Sequence, residues 1–347
     1  MTPTPLAVLG AGSWGTALAV ALAQNGHAVA LWARREEAAA ALRQSRRNPY
    51  LPQAEIPERV RVTSDLRDAV DGAATWVVAV PSQTVRGVVG PLADVVGTGH
   101  TVISVAKGIE NETLLTTTGV LRDVLPDADP QRLGVLYGPS HAEEVALGRP
   151  TSVVASVPDA AVARAVQALF MAPAFRVYTN PDLIGVEIGG SVKNVMAVAA
   201  GMSDGLGLGD NAKAALVTRG LAEITRLGLA LGADAHTFAG LAGLGDLVVT
   251  CFSQHSRNRA FGERVGKGEA QAEALASSTM VVEGVRTTAS VRALAARAGV
   301  EMPITEAVHA ILFEGLAPAE AVATLMERDP KLEGAHFDTP AFDGSEA

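Results

Sequence analysis

Near the N-terminus the run Gly10-Ala11-Gly12-Ser13-Trp14-Gly15 stands between an apolar stretch, 6–9, and a helical one, 13–24. A strand that turns on glycine straight into a helix is a demanding arrangement. The first glycine permits the tight turn, the second lets the backbone approach a pyrophosphate, and the third lets helix pack on strand. Unpaired N–H groups at the helix N-terminus then face the phosphates. The spacing alone is weak, because an ordinary glycine-rich turn also produces it. With a strand before it and a helix behind it, it reads as a dinucleotide fingerprint.

The rest of the first half agrees. Apolar runs at 6–9, 28–32, 75–80, 101–105, 132–136, 152–156 and 175–178 read as strands. Helical stretches at 13–24, 83–89, 112–124 and 160–170 fall between them. Strands alternating with helices pair in parallel through right-handed crossovers, which gives an α/β fold with an N-terminal Rossmann-type doubly wound sheet. A composition of 48% hydrophobic but only 4% aromatic residues suits Val-rich buried strands and Ala/Leu helices. From residue 182 the pattern changes. Stretches 182–200, 211–231, 236–242, 289–298 and 303–313 read as helices with almost no strand signal, and glycine-rich 201–209 as a loop. At 347 residues the chain exceeds one typical core of about 100–200 residues. The expected division is a dinucleotide-binding domain over 1–181, an all-helical substrate domain over 182–330, and a polar, flexible tail over 331–347.

The net charge of −9 sets nucleic-acid binding, which needs a basic surface, low among the possible functions. A single cysteine, Cys251, excludes an intrachain disulfide framework and suits a reducing cytoplasm. The N-terminus lacks a charged segment followed by an apolar core and cleavage site. No uninterrupted apolar run reaches the roughly 18 residues that span a bilayer. The expectation is a cytoplasmic chain with no nucleic-acid partner and no membrane insertion.

Several segments carry candidate chemistry. The second strand ends Leu31-Trp32-Ala33-Arg34-Arg35. NAD sites place an acid there for the ribose 2′-hydroxyl; two guanidiniums would instead grip a 2′-phosphate. A solvated pair balanced by Glu36 and Glu37 is the plainer alternative. Lys107 follows the strand at 101–105 and points toward the crevice beyond the strand ends, although a lone lysine there is more often a surface residue. Ser140 and Glu143, after Tyr137-Gly138-Pro139, have capping-box spacing; a helix start explains it, and the same start could face a ligand. For His141 a structural place is favoured.

Gly185, Gly189, Lys193 and Ala197 share one helix face. The bare stripe admits a small ligand or another helix, so Lys193 is either catalytic or a snorkelling lysine at a packed contact. Ser256, Arg257 and Asn258 supply the donors a phosphate monoester needs, unless they belong to a hydrated loop. Asp246, in Gly243-Leu244-Gly245-Asp246, could orient a lysine or cap a helix. Cys251 and His255 make no metal or nucleophile constellation.

Taken in order, the run Gly10 to Gly15, Ala106-Lys107-Gly108, Gly138-Pro139-Ser140, Val192-Lys193-Asn194, Gly243 to Asp246, Ser256-Arg257-Asn258 and Val282-Glu283-Gly284 carry a resemblance. From Leu6 to about Asp329 the chain resembles the bacterial NAD(P)-dependent glycerol-3-phosphate dehydrogenase family. The resemblance implies hydride transfer between NADPH and dihydroxyacetone phosphate, giving sn-glycerol 3-phosphate for glycerophospholipid synthesis. It implies cofactor contacts at Ser13, Trp14, Arg34, Arg35, Lys107, Ala142, Arg257, Val281 and Glu283, beside the fingerprint glycines Gly10, Gly12 and Gly15. The substrate site would comprise Lys107, Gly138, Ser140, Lys193, Asp246, Ser256, Arg257 and Asn258, with Lys193 the proton acceptor. NADP(H) is the expected cofactor and NAD(H) the alternative; no metal is expected, and the family analogy suggests a homodimer.

Lys193 needs a lowered pKa to act near neutrality. Desolvation and the charges of Lys107 and Arg257 would lower it; Asp246 and a bound phosphate would oppose them. Three rivals stand on the residues alone. A nucleotide-sugar dehydrogenase would need Cys251 as nucleophile, a hydroxy-acid dehydrogenase would want a carboxylate clamp, and an NADP-sensing module would not need Lys107, Lys193 and Arg257.

Overall fold

The N-terminal half folds as a strand–glycine–helix start requires. The computed structural model describes residues 5–277 and 280–329, so the tail expected from 331 lies outside the described residues. β1 (Pro5–Leu9) passes into α1 (Ser13–Gln24) and β2 (Ala28–Trp32). Next come α2 (Glu36–Ser45), a hairpin of β3 (Arg47–Asn48) and β4 (Leu51–Glu55), then β5 (Val60–Thr63), α3 (Leu66–Val70) and β6 (Thr75–Val78). After these are α4 (Val85–Val89), β7 (Thr101–Ser104), α5 (Thr117–Val124), β8 (Leu133–Tyr137) and α6 (Ala142–Ala146). β9 (Thr151–Ser156), α7 (Ala160–Phe170) and β10 (Phe175–Thr179) complete the half.

Eight strands form one sheet in the order β10-β9-β8-β7-β6-β1-β2-β5. β6 and β7 are buried at every position, as strands covered on both faces must be. Leu18, Leu22 and Phe170 pack one face, and Trp76, Val89 and Leu121 the other. The order reverses at β1, which pairs with β2 on one side and β6 on the other. At such a switch point the loops diverge and leave a crevice at the carboxyl ends of the strands. The ends are level: Leu9 pairs with Val78, and Val78 with Ser104.

One pairing departs from the parallel expectation: β9 runs antiparallel to β8. Only the five-residue α6 lies between them. So short a helix makes no crossover layer of the kind a parallel pair uses, and β9 sets off from the edge where β8 ended. The strand expected over 75–80 ends at Val78; the Ala79 N–H still donates to the Leu9 carbonyl at 2.8 Å, while the Ala79 carbonyl abuts Gly10. There φ is +125°, and a Cβ would sit 2.5 Å from the Ala79 carbonyl oxygen. The helix expected over 112–124 starts only at Thr117, after a bridge between Ile109 and Thr116.

The second half is helical: α8 (Leu183–Gly205), α9 (Gly209–Ala230), α10 (Ala235–Phe238), a π-helical turn (Leu241–Gly245) and α11 (Asp246–Phe252). α12 (Arg257–Gly266), α13 (Gln271–Ala276), α14 (Glu283–Ala298), α15 (Pro303–Phe313) and α16 (Pro318–Met326) follow. α8 is the axis. It is long and apolar enough to cross a membrane, yet its most apolar window is 94% buried among the other helices. Asp182 caps it, accepting from the Gly185 N–H, a contact worth about 1 kcal/mol. The expected loop over 201–209 shrinks to the residues between α8 and α9, and the helix expected from 289 begins at Glu283. Val135, Tyr137 and Val154 of the sheet pack on Leu183, Val186 and Ala242 where the two halves meet.

Candidate functional site

A cleft of about 650 Å³ opens between the strand ends and the helical half. Gly12, Ser13, Trp14 and Ala79–Pro81 line its sheet side. A Cβ on Gly12 would meet nothing within 4 Å; it would project into the cleft, where a phosphate backbone must come close. Gly15 is different, since its Cβ would lie 1.9 Å from the Gly10 carbonyl oxygen. Buried Asn48, on the hairpin, braces the turn. Its Nδ2 donates to the Ala11 carbonyl at 3.0 Å and to Thr16 Oγ1 at 2.6 Å. These residues fit a pyrophosphate held at the N-terminus of α1.

The glycine stripe on α8 admits a neighbouring segment, and that segment carries the acid. A Cβ on Gly189 would sit 2.6 Å from the Ala242 carbonyl oxygen. This close approach sets Asp246, the first residue of α11, against Lys193 one turn further along α8. A second glycine seam joins α8 to α12. A Cβ on Gly201 would lie 2.0 Å from the Arg259 carbonyl oxygen, and one on Gly262 2.1 Å from that of Val198. It brings Ser256, Arg257 and Asn258 to the cleft.

Lys193 is 6% exposed and Asp246 1%. Lys193 Nζ donates to Asp246 Oδ1 and, at 2.7 Å, to Thr250 Oγ1. Lys107 Nζ donates to Asp246 Oδ2 at 2.6 Å and to the Gly138 carbonyl at 3.0 Å. One carboxylate thus lies between two ammoniums. Burial lowers the Lys193 pKa to about 7; Asp246 opposes the shift and Lys107 reinforces it. Burial pushes the Asp246 carboxyl up, but Lys107 and then Lys193 outweigh it and hold the group below its ordinary range. An ammonium has three N–H donors, so Lys193 keeps one for a ligand oxygen.

On α12, Ser256 Oγ caps the helix by accepting from the Arg259 N–H at 3.3 Å. Of the two alternatives the sequence leaves for 256–258, a hydrated loop or a phosphate site, the loop does not form: the segment is a helix start facing the cleft. Asn258 Oδ1 accepts from the Gly284 N–H at 2.9 Å, and its Nδ2 donates to Asn194 Oδ1 at 2.9 Å, which leaves one N–H. Arg257 is exposed and opens on the cleft, where its Nη1 donates to the Val281 carbonyl at 3.4 Å; desolvation by the protein packed around it lowers its pKa. Glu283 reaches the sheet half, accepting from the Ser82 N–H at 3.0 Å and from Ser82 Oγ at 2.7 Å. Its burial raises its pKa, against the two Ser82 bonds.

The cleft brings together Gly12, Ser13, Trp14, Lys107, Ser140, Ala142, Lys193, Asp246, Ser256, Arg257, Asn258, Val281 and Glu283. Gly10 and Gly15 shape the turn, and Gly138 contributes its carbonyl. Arg34 and Arg35 stand outside this lining, exposed after β2, and among the described residues neither side chain has a hydrogen bond or ion pair. The capping-box reading of Ser140 fails, because α6 begins at Ala142 and the Ser140 hydroxyl donates back to the Gly138 carbonyl at 3.0 Å. His141 lines the cleft beside His255, ring centroids 5.6 Å apart; burial, then Lys193, lowers its pKa. Asn48 and Thr250 are not among the residues the sequence singles out, and Asn194 figures there only within Val192-Lys193-Asn194, without a role. Thr250 lies one helical turn after Asp246, a spacing that could have found it; Asn48 has no such signal. Cys251 is fully buried, with its thiol pushed up to about 12 by burial, so a cysteine nucleophile has no place here. Among the described residues no three His, Cys, Asp or Glu groups are arranged to hold a metal.

Residues 5–163 match the family described as NAD-dependent glycerol-3-phosphate dehydrogenase N-terminus, and residues 182–323 the one described as its C-terminus. Glycerol-3-phosphate dehydrogenase (NAD(P)+) 2 of Salinibacter ruber is 57% identical, over 95% of this chain and 96% of its own. The glycerol-3-phosphate dehydrogenase (NAD(P)+) of Chlorobium luteolum is 51% identical, over 94% of this chain and 99% of its own. Among solved structures, glycerol-3-phosphate dehydrogenase from Coxiella burnetii superposes with a TM-score of 0.90 at 40% identity, covering 94% of this chain and 99% of that one.

Proposed function

This chain belongs to the NAD-dependent glycerol-3-phosphate dehydrogenase family, and we propose that Lys193 is the proton donor and acceptor as its cleft interconverts dihydroxyacetone phosphate and sn-glycerol 3-phosphate. It is an NAD(P)-dependent oxidoreductase acting on a CH–OH group, and its product is the backbone on which glycerophospholipids are built. When bound, the nicotinamide supplies or takes the hydride. The chain manages the proton and the phosphate.

Toward glycerol 3-phosphate, negative charge builds on the C2 oxygen of the substrate. Lys193 donates a proton there through the N–H that Asp246 and Thr250 leave unused; in oxidation the neutral amine takes it back. A pKa of about 7 keeps both forms populated near neutrality. Lys107, Gly138 and Ser140 flank the reacting carbons. Ser256, Arg257 and Asn258 hold the phosphate, since a planar guanidinium matches its oxygens and the N-terminus of α12 adds partial positive charge. Arg34 and Arg35 favour NADP(H) over NAD(H) through the 2′-phosphate.

The observation that carries this reading is the buried row Lys107–Asp246–Lys193 opening on the cleft. A division of the chain at 181/182, a homodimeric state and a cytoplasmic setting belong to the same reading. Separate cores support the first, and sedimentation of the purified chain tests the second. The decisive assay follows NADPH oxidation with dihydroxyacetone phosphate and with unphosphorylated dihydroxyacetone. Loss of two or more charge-assisted bonds predicts a kcat/KM at least about 10³-fold lower for the second. Equal use of both would overturn the assignment.

A further inference from the structure

Glu187 is only 2% exposed and has no part in the chemistry above. It sits on α8, six residues before Lys193, yet its carboxylate is bound entirely by the sheet half. Oε2 accepts from Thr116 Oγ1 at 2.9 Å and from Thr118 Oγ1 at 2.5 Å. Oε1 accepts from the Thr118 N–H at 2.8 Å and from Thr117 Oγ1 at 3.1 Å. Four donors on three consecutive residues, where α5 begins, close on one buried group.

Thr117 passes the contact on. Tyr137 Oη, 3.1 Å from Thr117 Oγ1, donates its hydrogen to the Ala106 carbonyl, so the single Thr117 hydrogen is shared between Glu187 Oε1 and Tyr137 Oη. Ala106 immediately precedes Lys107. The Tyr137 ring lies 5.6 Å from Lys107 Nζ, and the next residue, Gly138, offers the carbonyl that Nζ uses. Gly190 of α8 rests on the same ring, where a Cβ would come 2.5 Å from Cδ2. The backbone and the ammonium of Lys107 are therefore both set by a tyrosine that is held from α8.

We propose that Glu187 is a positioning residue for Lys107, acting through Thr117 and Tyr137. The idea rests on Lys107 being a substrate cation. A buried polar network loses more than one bond when a member goes, because its remaining donors are left unpaired. Leucine at 187 would strand the Thr118 N–H and the Thr116 and Thr118 hydroxyls, and would release the Thr117 hydrogen to Tyr137. Glutamine keeps an acceptor oxygen for the N–H and offers its amide to a hydroxyl.

A double-mutant cycle with Lys107→Met tests this, read as kcat/KM for dihydroxyacetone phosphate at saturating NADPH. Glu187→Leu is expected to lower it about tenfold in the native background but less than about twofold beside Lys107→Met, the signature of coupled residues. Glu187→Gln is expected to recover most of the loss. Equal losses in both backgrounds would overturn the proposal and leave Glu187 a structural clamp. If leucine at 187 prevents folding, Tyr137→Phe, which removes one hydroxyl, runs through the same cycle with the same criterion. Should Lys107→Met alone leave kcat/KM unchanged, the substrate-site reading falls and this proposal with it. If Lys107→Met has its effect and neither partner couples to it, only the positioning role falls.

Discussion

At its inner end the cleft is already wired: Lys193, Thr250, Asp246 and Lys107 bond to one another, and Glu283 holds Ser82 across the halves. Outside the cleft's lining, at the outer end of β2, Arg34 and Arg35 stand exposed, without partners among the described residues. Water makes the difference. A buried ammonium must find an anion or shed its charge, so the inner groups are fixed before substrate arrives, as proton transfer requires. An exposed guanidinium keeps its hydration and loses little by waiting for a phosphate. The inner end should then govern turnover and the outer end only preference.

The largest effect is expected at the centre of the inner end. Lys193→Ala should lower kcat at least about 100-fold while calorimetry shows NADPH binding unchanged; near-normal turnover would break the contrast. Arg257→Lys replaces a fork by a point charge. If it forfeits one charge-assisted bond of about 2 kcal/mol, KM for dihydroxyacetone phosphate rises about 30-fold. The pH profile sharpens the contrast further. Because the protonated amine is the donor and its pKa is near 7, ketone reduction should fall about tenfold per unit above that value, and alcohol oxidation should fall below it. Asp246→Asn removes the charge that opposes the shift, so the midpoint should move to lower pH. The smallest effect belongs to the outer end: Arg34→Ala should reduce the NADPH-to-NADH ratio of kcat/KM about fivefold, the scale of an exposed ion pair. An unchanged ratio would leave Arg34 a solvated surface residue.

Much of this was legible because local rules and the fold agree. The glycine fingerprint, the buried Val-rich strands and the long apolar helix α8 each follow from short-range pattern. What escaped depends on contacts distant in sequence. Residues 257–266 have little apolar content, and their helix is secured by the seam with α8. The direction of β9 depends on the length of α6. His141 reaches the cleft because that helix starts one residue after it. Asn48 lies in a short polar hairpin, and only the folded turn gives it something to hold.

The seams at Gly189, Gly201 and Gly262 have a consequence for how this enzyme tolerates change. A single added methyl at 189 would press on the backbone of Ala242, four residues before the carboxylate that steadies the proton carrier. In a saturation library, positions that hold no functional group at all should therefore score as badly as the lysine itself. Any effort to enlarge the cavity for bulkier ketones has to leave α8 where it is and cut into the opposite wall.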